Sequence, residues 1–297
     1  MSAVFTTKIG IYFLKQIAKI SFSLLYVISD MLSFIVYYLV RYRRKIVTLN
    51  LRNAFPEKDA DEIKKISKKF YRHLCDLMVE TIKMGQMKKT DYQDRMELKG
   101  IDRINRFYEQ GKSVVVLTMH YNNWEWSNWI ALNIKHEGLA VYKPLHNHLF
   151  DKYLNKIRSK MGANMIQNSQ VLRTVIHAQK NNQPVFIWLA GDQTPPEFHK
   201  FWMRFLNQEA VFYPGPAAIS KKFNLPVIFQ RTEKTGRGKY VSHFELLFET
   251  TEGKSENEIM KAYIRSMEQA IRKNPEFYLW SHKRWKHKRP EYVPLQD

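Results

Sequence analysis

His120 and Glu125 stand five residues apart in the stretch SVVVLTMHYNNWEWSNWIAL, residues 113–132, and their types suit proton transfer. An imidazole with an ordinary pKa of about 6.5 can take a proton from a hydroxyl near neutral pH and return it. A carboxylate on the second ring nitrogen fixes the tautomer and stabilises the imidazolium that forms. On one straight helix a five-residue separation would set the two side chains about 140° apart. The pair therefore requires a strand end followed by a first helical turn, so that Glu125 folds back as the orienter of a general base, His120.

The flanking residues supply those two elements. Residues 113–119 are apolar and β-branched, the pattern of a buried strand. Asn122 or Asn123 then suits an N-cap, with Trp126, Trp129, Ile130 and Asn133 at helical spacing. His120 falls at the carboxyl end of the strand, where open α/β sheets bind ligands. Gly191-Asp192-Gln193 follows a second strand pattern in the same way, although a plain Gly-Asp turn accounts for it equally well. Lys143 and Arg158 are cations near the next strand and helix, and either could meet a phosphate or a developing oxyanion. His146-Asn147-His148 lacks a third ligand at regular spacing, so no metal is expected. Nucleophile-elbow, phosphate-loop, dinucleotide and zinc-protease motifs are all missing. With no activated Ser or Cys in view, direct transfer is expected, with His120 deprotonating the acceptor hydroxyl.

The chain of 297 residues carries 48 Lys and Arg against 28 Asp and Glu, a net charge of +20 that would draw nucleic acid, anionic membrane or an acidic protein. Residues 17–40 form an apolar run longer than the roughly 20 residues that cross a bilayer. Lys19 and Asp30 interrupt it, so a tilted, shallow or protein-packed helix fits as well as a clean span. No small-residue cleavage site follows, which disfavours a removable signal. Arg41, Arg43, Arg44 and Lys45 come next and place the rest of the chain on the cytoplasmic side. The expected plan is an anchor with its basic stop at 1–45 and a catalytic domain at 46–297.

Residues 57–84 read as an amphipathic helix with Ile63, Ile66, Phe70, Leu74, Leu77 and Met78 on one face and Lys64, Lys65, Lys68 and Lys69 as a solvated group. The lone cysteine, Cys75, excludes an internal disulfide and suits a small core position. Strand patterns at 96–99, 113–119, 139–142, 164–166, 184–189 and 226–230 alternate with helical ones at 102–110, 149–161 and 170–180. A hairpin turning at 235–238 and a helix at 257–273 follow. This order predicts an α/β fold with a mixed, largely parallel central sheet flanked by helices. The tail WSHKRWKHKRP is basic and aromatic, a composition shared by interfacial sites and single-strand nucleic-acid platforms.

HYNNWEW resembles the His-x4-Asp/Glu block of bacterial membrane acyltransferases. Joined in order by RYRRKIVTLNLRNAFPE, YKPLHNHLFDKYLNKIRSKMGA, PVFIWLAGDQTPP, FYPGPAAISKKFNLPVIF and NPEFYLWSHKRWKHKRP, it makes most of the chain similar to the late acyltransferases of lipid A biosynthesis and their lysophospholipid-acyltransferase-like relatives. The resemblance implies a glycerolipid-acyltransferase-like fold at the bacterial inner membrane, its active site on the cytoplasmic face. It implies transfer from an acyl carrier protein thioester to a hydroxyl of a lipid A-type glycolipid. His120 would be the base and Glu125 its orienter, with Arg158, Asp192 and Gln193 as further polar site residues and Lys143 as a substrate-binding cation. No cofactor beyond the thioester co-substrate is implied. The partners would be acyl carrier protein and a membrane lipid, not nucleic acid. Two departures stand out: Glu125 stands where the related glycerolipid acyltransferases typically have Asp, with no Glu-Gly-Thr motif after it, and Pro195-Pro196 with Phe198, Phe201, Trp202 and Phe205 replace a polar, glycine-rich stretch. The first argues against a glycerol-phosphate acceptor, and the second points to an altered lipid groove. An amino-acid lipid or lysophospholipid acceptor is the alternative for the same chemistry. A membrane-tethered nucleic-acid-binding protein is the alternative from another class.

Overall fold

The computed structural model of the chain describes residues 3–196 and 201–296. Its strands are β1 (Met96–Lys99), β2 (Val114–Thr118), β3 (Glu137–Tyr142), β4 (Asn164–Gln167), β5 (Val185–Ala190), β6 (Phe201–Phe205), β7 (Gln208–Phe212), β8 (Val227–Gly236) and β9 (Lys239–Phe248). Seven of them form one sheet in the order β1-β9-β8-β2-β5-β3-β4, and β6 and β7 pair separately. Every neighbouring pair in the large sheet is parallel except the β8–β9 hairpin. The mixed, largely parallel sheet read from the strand-helix alternation is therefore the observed one.

β2 lies between β5 and β8 and is buried along its whole length. A parallel strand covered on both faces has no solvent side, which is why it reads as Val-Val-Val-Leu rather than as an alternation. Val115 and Leu117 point into the main core with Val175, Ile259 and Met267, from the helices Val171–Lys180 and Glu256–Lys273. Val114 and Val116 point the other way, onto Ile104 and Phe107 of the helix Ile101–Glu109. The 57–84 pattern forms the helix Ala60–Lys83, started by a capping box in which Asp59 accepts from Glu62 N and Glu62 accepts from Asp59 N. Cys75 is a buried free thiol within it.

The apolar run at 17–40 is broken. One helix covers Ala3–Ile17; a second, Phe22–Phe34, starts at Ser21, whose hydroxyl accepts from Leu24 N, and continues as a π-helical turn to Leu39. Lys83 Nζ donates to Ala18 O at 3.0 Å and to Ile20 O at 2.7 Å, satisfying carbonyls left open where the first helix stops. The second helix lies along Ala60–Lys83. Leu25 is buried, Ser29 Oγ donates to Asp76 at 2.8 Å and Tyr26 Oη to Glu80 at 2.8 Å. Asp30, the interruption in the run, accepts from Arg237 at 2.9 Å through both of its oxygens and from Arg72 at 3.1 Å. Phe22–Leu39 is long and apolar enough to cross a membrane by length and composition. Its outward side chains, among them Val27, Met31, Phe34 and Leu39, are exposed.

The tail is not the solvated basic-aromatic platform that its composition suggested. Trp280 and Arg284 are fully buried, and Trp285 stacks on Phe205 with ring centroids 5.9 Å apart, so these rings face the interior. Lys283, Lys286 and Lys288 remain outside. The aromatic stretch expected to shape a lipid groove is likewise largely interior: Trp202 packs on Val211 and Val293, and Phe205 enters the main core. Phe201 is half-buried, and Phe198 lies outside the described residues.

Candidate active site

Thr118 of β2 pairs in register with Ala190 of β5. His120 and Asp192 each lie two residues beyond those partners, so the parallel pairing brings them together at the carboxyl edge of the sheet. His120 Nδ1 is 2.7 Å from Asp192 Oδ1, and His120 N donates to Asp192 Oδ2 at 3.1 Å. Asp192 is 2% exposed and the His120 side chain 22%, so the carboxylate is interior while the imidazole reaches the surface. Nε2 makes no bond to another described residue.

The electrostatics follow from this geometry. Burial works against the imidazolium, but the Asp192 charge and hydrogen bond, with Glu125 adding to them, outweigh it and hold the His120 pKa above the ordinary imidazole value. Burial would likewise raise Asp192. The His120 charge and the bonds from its ring and backbone win instead and hold the carboxyl below the usual range.

Glu125 does not orient His120, as its sequence position suggested. It pairs with Arg158 through two parallel bonds, Arg158 Nε to Oε2 at 2.9 Å and Nη2 to Oε1 at 2.6 Å. The turn between the two residues explains why. Asn122 adopts a left-handed φ of 54°, and Asn123 Oδ1 accepts from Trp126 N at 3.0 Å. The chain then enters a 3-10 helix, Glu125–Leu132, in place of the α-helix read from the spacing. This turn directs Glu125 to a guanidinium whose fork matches a carboxylate. The pair is partly buried, Arg158 at 27% and Glu125 at 11% exposed. Trp124 closes this side, its ring edge-on to His120 at 5.1 Å.

Of the other expected site residues, Gln193 is exposed next to Asp192 and Lys143 is exposed one residue past β3. Neither bonds to His120, Asp192, Glu125 or Arg158. A cavity of about 170 Å³ between Glu256–Lys273 and the β8–β9 hairpin includes Tyr121, Arg231, Glu233 and Lys273 in its lining but none of those four residues. Among the described residues no cluster of three metal-ligating side chains occurs.

Sequence reasoning missed several supports. Glu80, fully buried, accepts from Asn123 Nδ2 at 2.7 Å, Tyr240 Oη at 2.7 Å and Tyr26 Oη at 2.8 Å, and so holds the turn after His120. Burial pushes its carboxyl up to about 7, against the pull of the two tyrosine bonds. The tail braces the site from the other side. Leu279 N donates to His120 O at 3.2 Å, Asn122 N to Phe277 O at 3.0 Å, and Thr194 Oγ1 to Arg284 O at 2.7 Å. Thr194 N donates to His282 Nε2 at 3.2 Å, and burial lowers the His282 pKa to about 4. Arg284 lies over the Phe212 ring at 4.2 Å with Nε and one terminal nitrogen unpartnered. Equal offsets beyond two strand ends were the one sequence signal that could have paired His120 with Asp192.

The chain is 24% identical over 290 residues to the lipid A biosynthesis lauroyltransferase of Escherichia coli (strain K12), covering 97% of this chain and 93% of that protein. It is 23% identical over 249 residues to the lipid A biosynthesis palmitoleoyltransferase of the same strain, covering 83% and 80%. A lipid A biosynthesis acyltransferase of Haemophilus influenzae (strain ATCC 51907 / DSM 11121 / KW20 / Rd) is 20% identical over 280 residues, 92% of this chain and 85% of that one. The family model for bacterial lipid A biosynthesis acyltransferases matches residues 1–287, nearly the whole chain and every residue of the site just described, so this protein belongs to that family.

Proposed function

We propose that the protein moves a fatty acyl chain from an acyl carrier protein thioester to a hydroxyl of a lipid A-type glycolipid, with His120 as general base and Asp192 as its orienter. One observation carries this reading: an interior carboxylate holds Nδ1 of an imidazole whose Nε2 is left free at the mouth of the site. That arrangement keeps the Nδ1 proton toward Asp192 and the Nε2 lone pair toward substrate. The acceptor hydroxyl gives its proton to Nε2 as its oxygen bonds to the thioester carbonyl carbon. When the tetrahedral adduct collapses, the carbon–sulfur bond breaks and the imidazolium proton passes to the departing thiolate.

Glu125 keeps a place in the site through Arg158. By engaging Nε and Nη2 it fixes the guanidinium and leaves Nη1 for an oxygen of either substrate. The family relationship supports lipid A as acceptor, and the charge of +20 suits an acidic carrier protein and phosphorylated headgroups.

The helix Phe22–Leu39 would hold the enzyme on the cytoplasmic leaflet of the inner membrane. Because one side of it is bonded to the domain through Ser29, Tyr26 and Asp30, only its opposite side is open to lipid. This supports a helix lying in the interface rather than a free-standing span. The test is turnover of an acyl carrier protein thioester with a lipid A precursor by purified protein, together with lipid profiling of a deletion strain. His120→Ala should abolish transfer without loss of fold, and a folded, active His120→Ala protein would remove the base from the scheme.

A further inference from the structure

We propose that Tyr263 is a positioning residue for this proton transfer: its hydroxyl ties the ends of β2 and β5 together and so sets the separation of His120 from Asp192. Tyr263 projects from the helix Glu256–Lys273 and is completely buried. Its spacing with Ile259, Met267 and Ile271 marks it as one more core residue, but its oxygen does something those side chains cannot. Oη accepts from Gly191 N at 3.1 Å and donates to Thr118 O at 2.5 Å. Gly191 immediately precedes Asp192, and Thr118 lies two residues before His120.

The sheet's own ladder is weak at this point. The last register partners are Thr118 and Ala190, and beyond them Gly191 N reaches Thr118 O only at 3.4 Å. Neighbouring strands twist apart by roughly 20–25°, so two loops leaving the edge diverge unless something spans them. The tyrosine hydroxyl takes both groups at shorter range and acts as that crossbar. A proton-transfer pair is sensitive to displacements of about 0.5 Å, so a fixed crossbar beneath a 2.7 Å contact bears directly on rate. The close fit at Gly191 agrees with this: a Cβ there would lie 3.3 Å from Tyr263 Cε1 and 3.4 Å from Oη.

The inference rests on His120 being the base, so its test runs beside His120→Ala. In the full-length enzyme Tyr263→Phe keeps the ring and removes both bonds. We expect kcat to fall by about 10- to 100-fold with KM for the thioester within about twofold of wild type. The pH at which kcat/KM reaches half its plateau should move down toward the ordinary imidazole value of about 6.5, because His120 is held less firmly against Asp192. The other ionisable groups facing His120 are Glu125, Arg158 and His282. None of them touches Tyr263; Tyr278, bonded to Asp192, and Arg284 face the carboxylate and are left unaltered by the substitution, so the shift reports on the contact between His120 and Asp192. Gly191→Ala, which presses on the same hydroxyl, should move both readouts in the same direction. Wild-type kcat and an unmoved midpoint in Tyr263→Phe would overturn the inference, as would a lower kcat that merely follows loss of folded protein. If His120→Ala is inactive in that event, only the crossbar fails; if His120→Ala is active, the base assignment fails with it.

Discussion

Asp192 grips His120 twice, accepting its backbone N–H at 3.1 Å with one oxygen and meeting its ring Nδ1 at 2.7 Å with the other. A carboxylate bonded in this way fixes the loop, the rotamer and the tautomer together. Asp192→Asn should cost far more than its small change in volume suggests. The amide can present its NH₂ to Nδ1 and drive the ring proton to Nε2, the wrong tautomer for a base. Acyl transfer should fall by about 10³- to 10⁴-fold in a protein that still folds. Glu125→Gln should fall by only about 10- to 100-fold, because Arg158 keeps a neutral partner. Steady-state rates for the two variants check the order, and a slower Glu125→Gln would return the orienting role to Glu125.

The pH dependence of rate and of stability should run in opposite senses around His120. Its pKa is raised in the folded protein, so the rate should climb with pH through a midpoint above about 6.5 as the imidazole becomes free to accept a proton. The stability it contributes is complete below the unfolded value of about 6.5 and is lost as pH rises through the folded one. Glu80, raised to about 7 mainly by burial, behaves likewise: its contribution is complete below about 4.5 and fades toward neutrality. His73 and His282, lowered by burial to about 3 and about 4, act oppositely. Their contribution is present above about 6.5 and is lost as pH falls toward those values, by at most about 1.4 kcal/mol per pH unit for each. Thermal unfolding from pH 4 to 8 should therefore show a shallower acid slope in His73→Asn, with the His282 share remaining.

Gly238, in the β8–β9 turn, lies against Tyr26 of the second helix, Phe22–Phe34. A Cβ on it would stand 1.9 Å from Tyr26 Oη and 3.2 Å from Arg95 Nη1, at a φ of +68°. Gly238→Ala should displace Tyr26 from Glu80 and cost about 2–4 kcal/mol, the sum of a clash and left-handed strain. Gly253→Ala provides the control. It shares a φ of +70° but has no atom within 4 Å, so strain of about 1 kcal/mol is all it should show. The measurement is the melting temperature of the detergent-purified variants, together with protease cleavage between the first two helices.

The outward face of the second helix carries Val27 at 55%, Met31 at 62% and Leu39 at 67% exposure. Val27→Glu and Met31→Glu should leave the fold intact, since neither side chain is buried. Each should weaken association with anionic vesicles by about tenfold or more, through lost apolar burial and added negative charge. Flotation of the double variant checks this, and unchanged flotation would show that another surface binds the membrane.

The large sheet and most of its helices were legible because their signals are local. The Val-Val-Val-Leu run marks β2, the Thr235–Gly238 stretch marks the hairpin, and Ile259, Tyr263, Met267 and Ile271 mark a helix face. The partner of His120 was not legible, because it lies 72 residues away and depends on which strand β5 chooses to pair with. Asp30 likewise looked like an unpaired charge in an apolar run; its partner, Arg237, is 207 residues on. In the tail, composition misled because it counts residues without saying which way they point: Trp280 and Arg284 turn inward while Lys283 and Lys286 turn out.

The brace between Leu279 and the carbonyl of His120 has a bearing on biosynthesis. A ribosome delivers the histidine loop long before it delivers residues 277–284, so during translation the loop waits without the strap that fixes its backbone. Competence for transfer should come only once residues 277–284 have been made, after the N-terminal helices have had time to find their place, and a nascent chain stalled short of Phe277 should be catalytically silent.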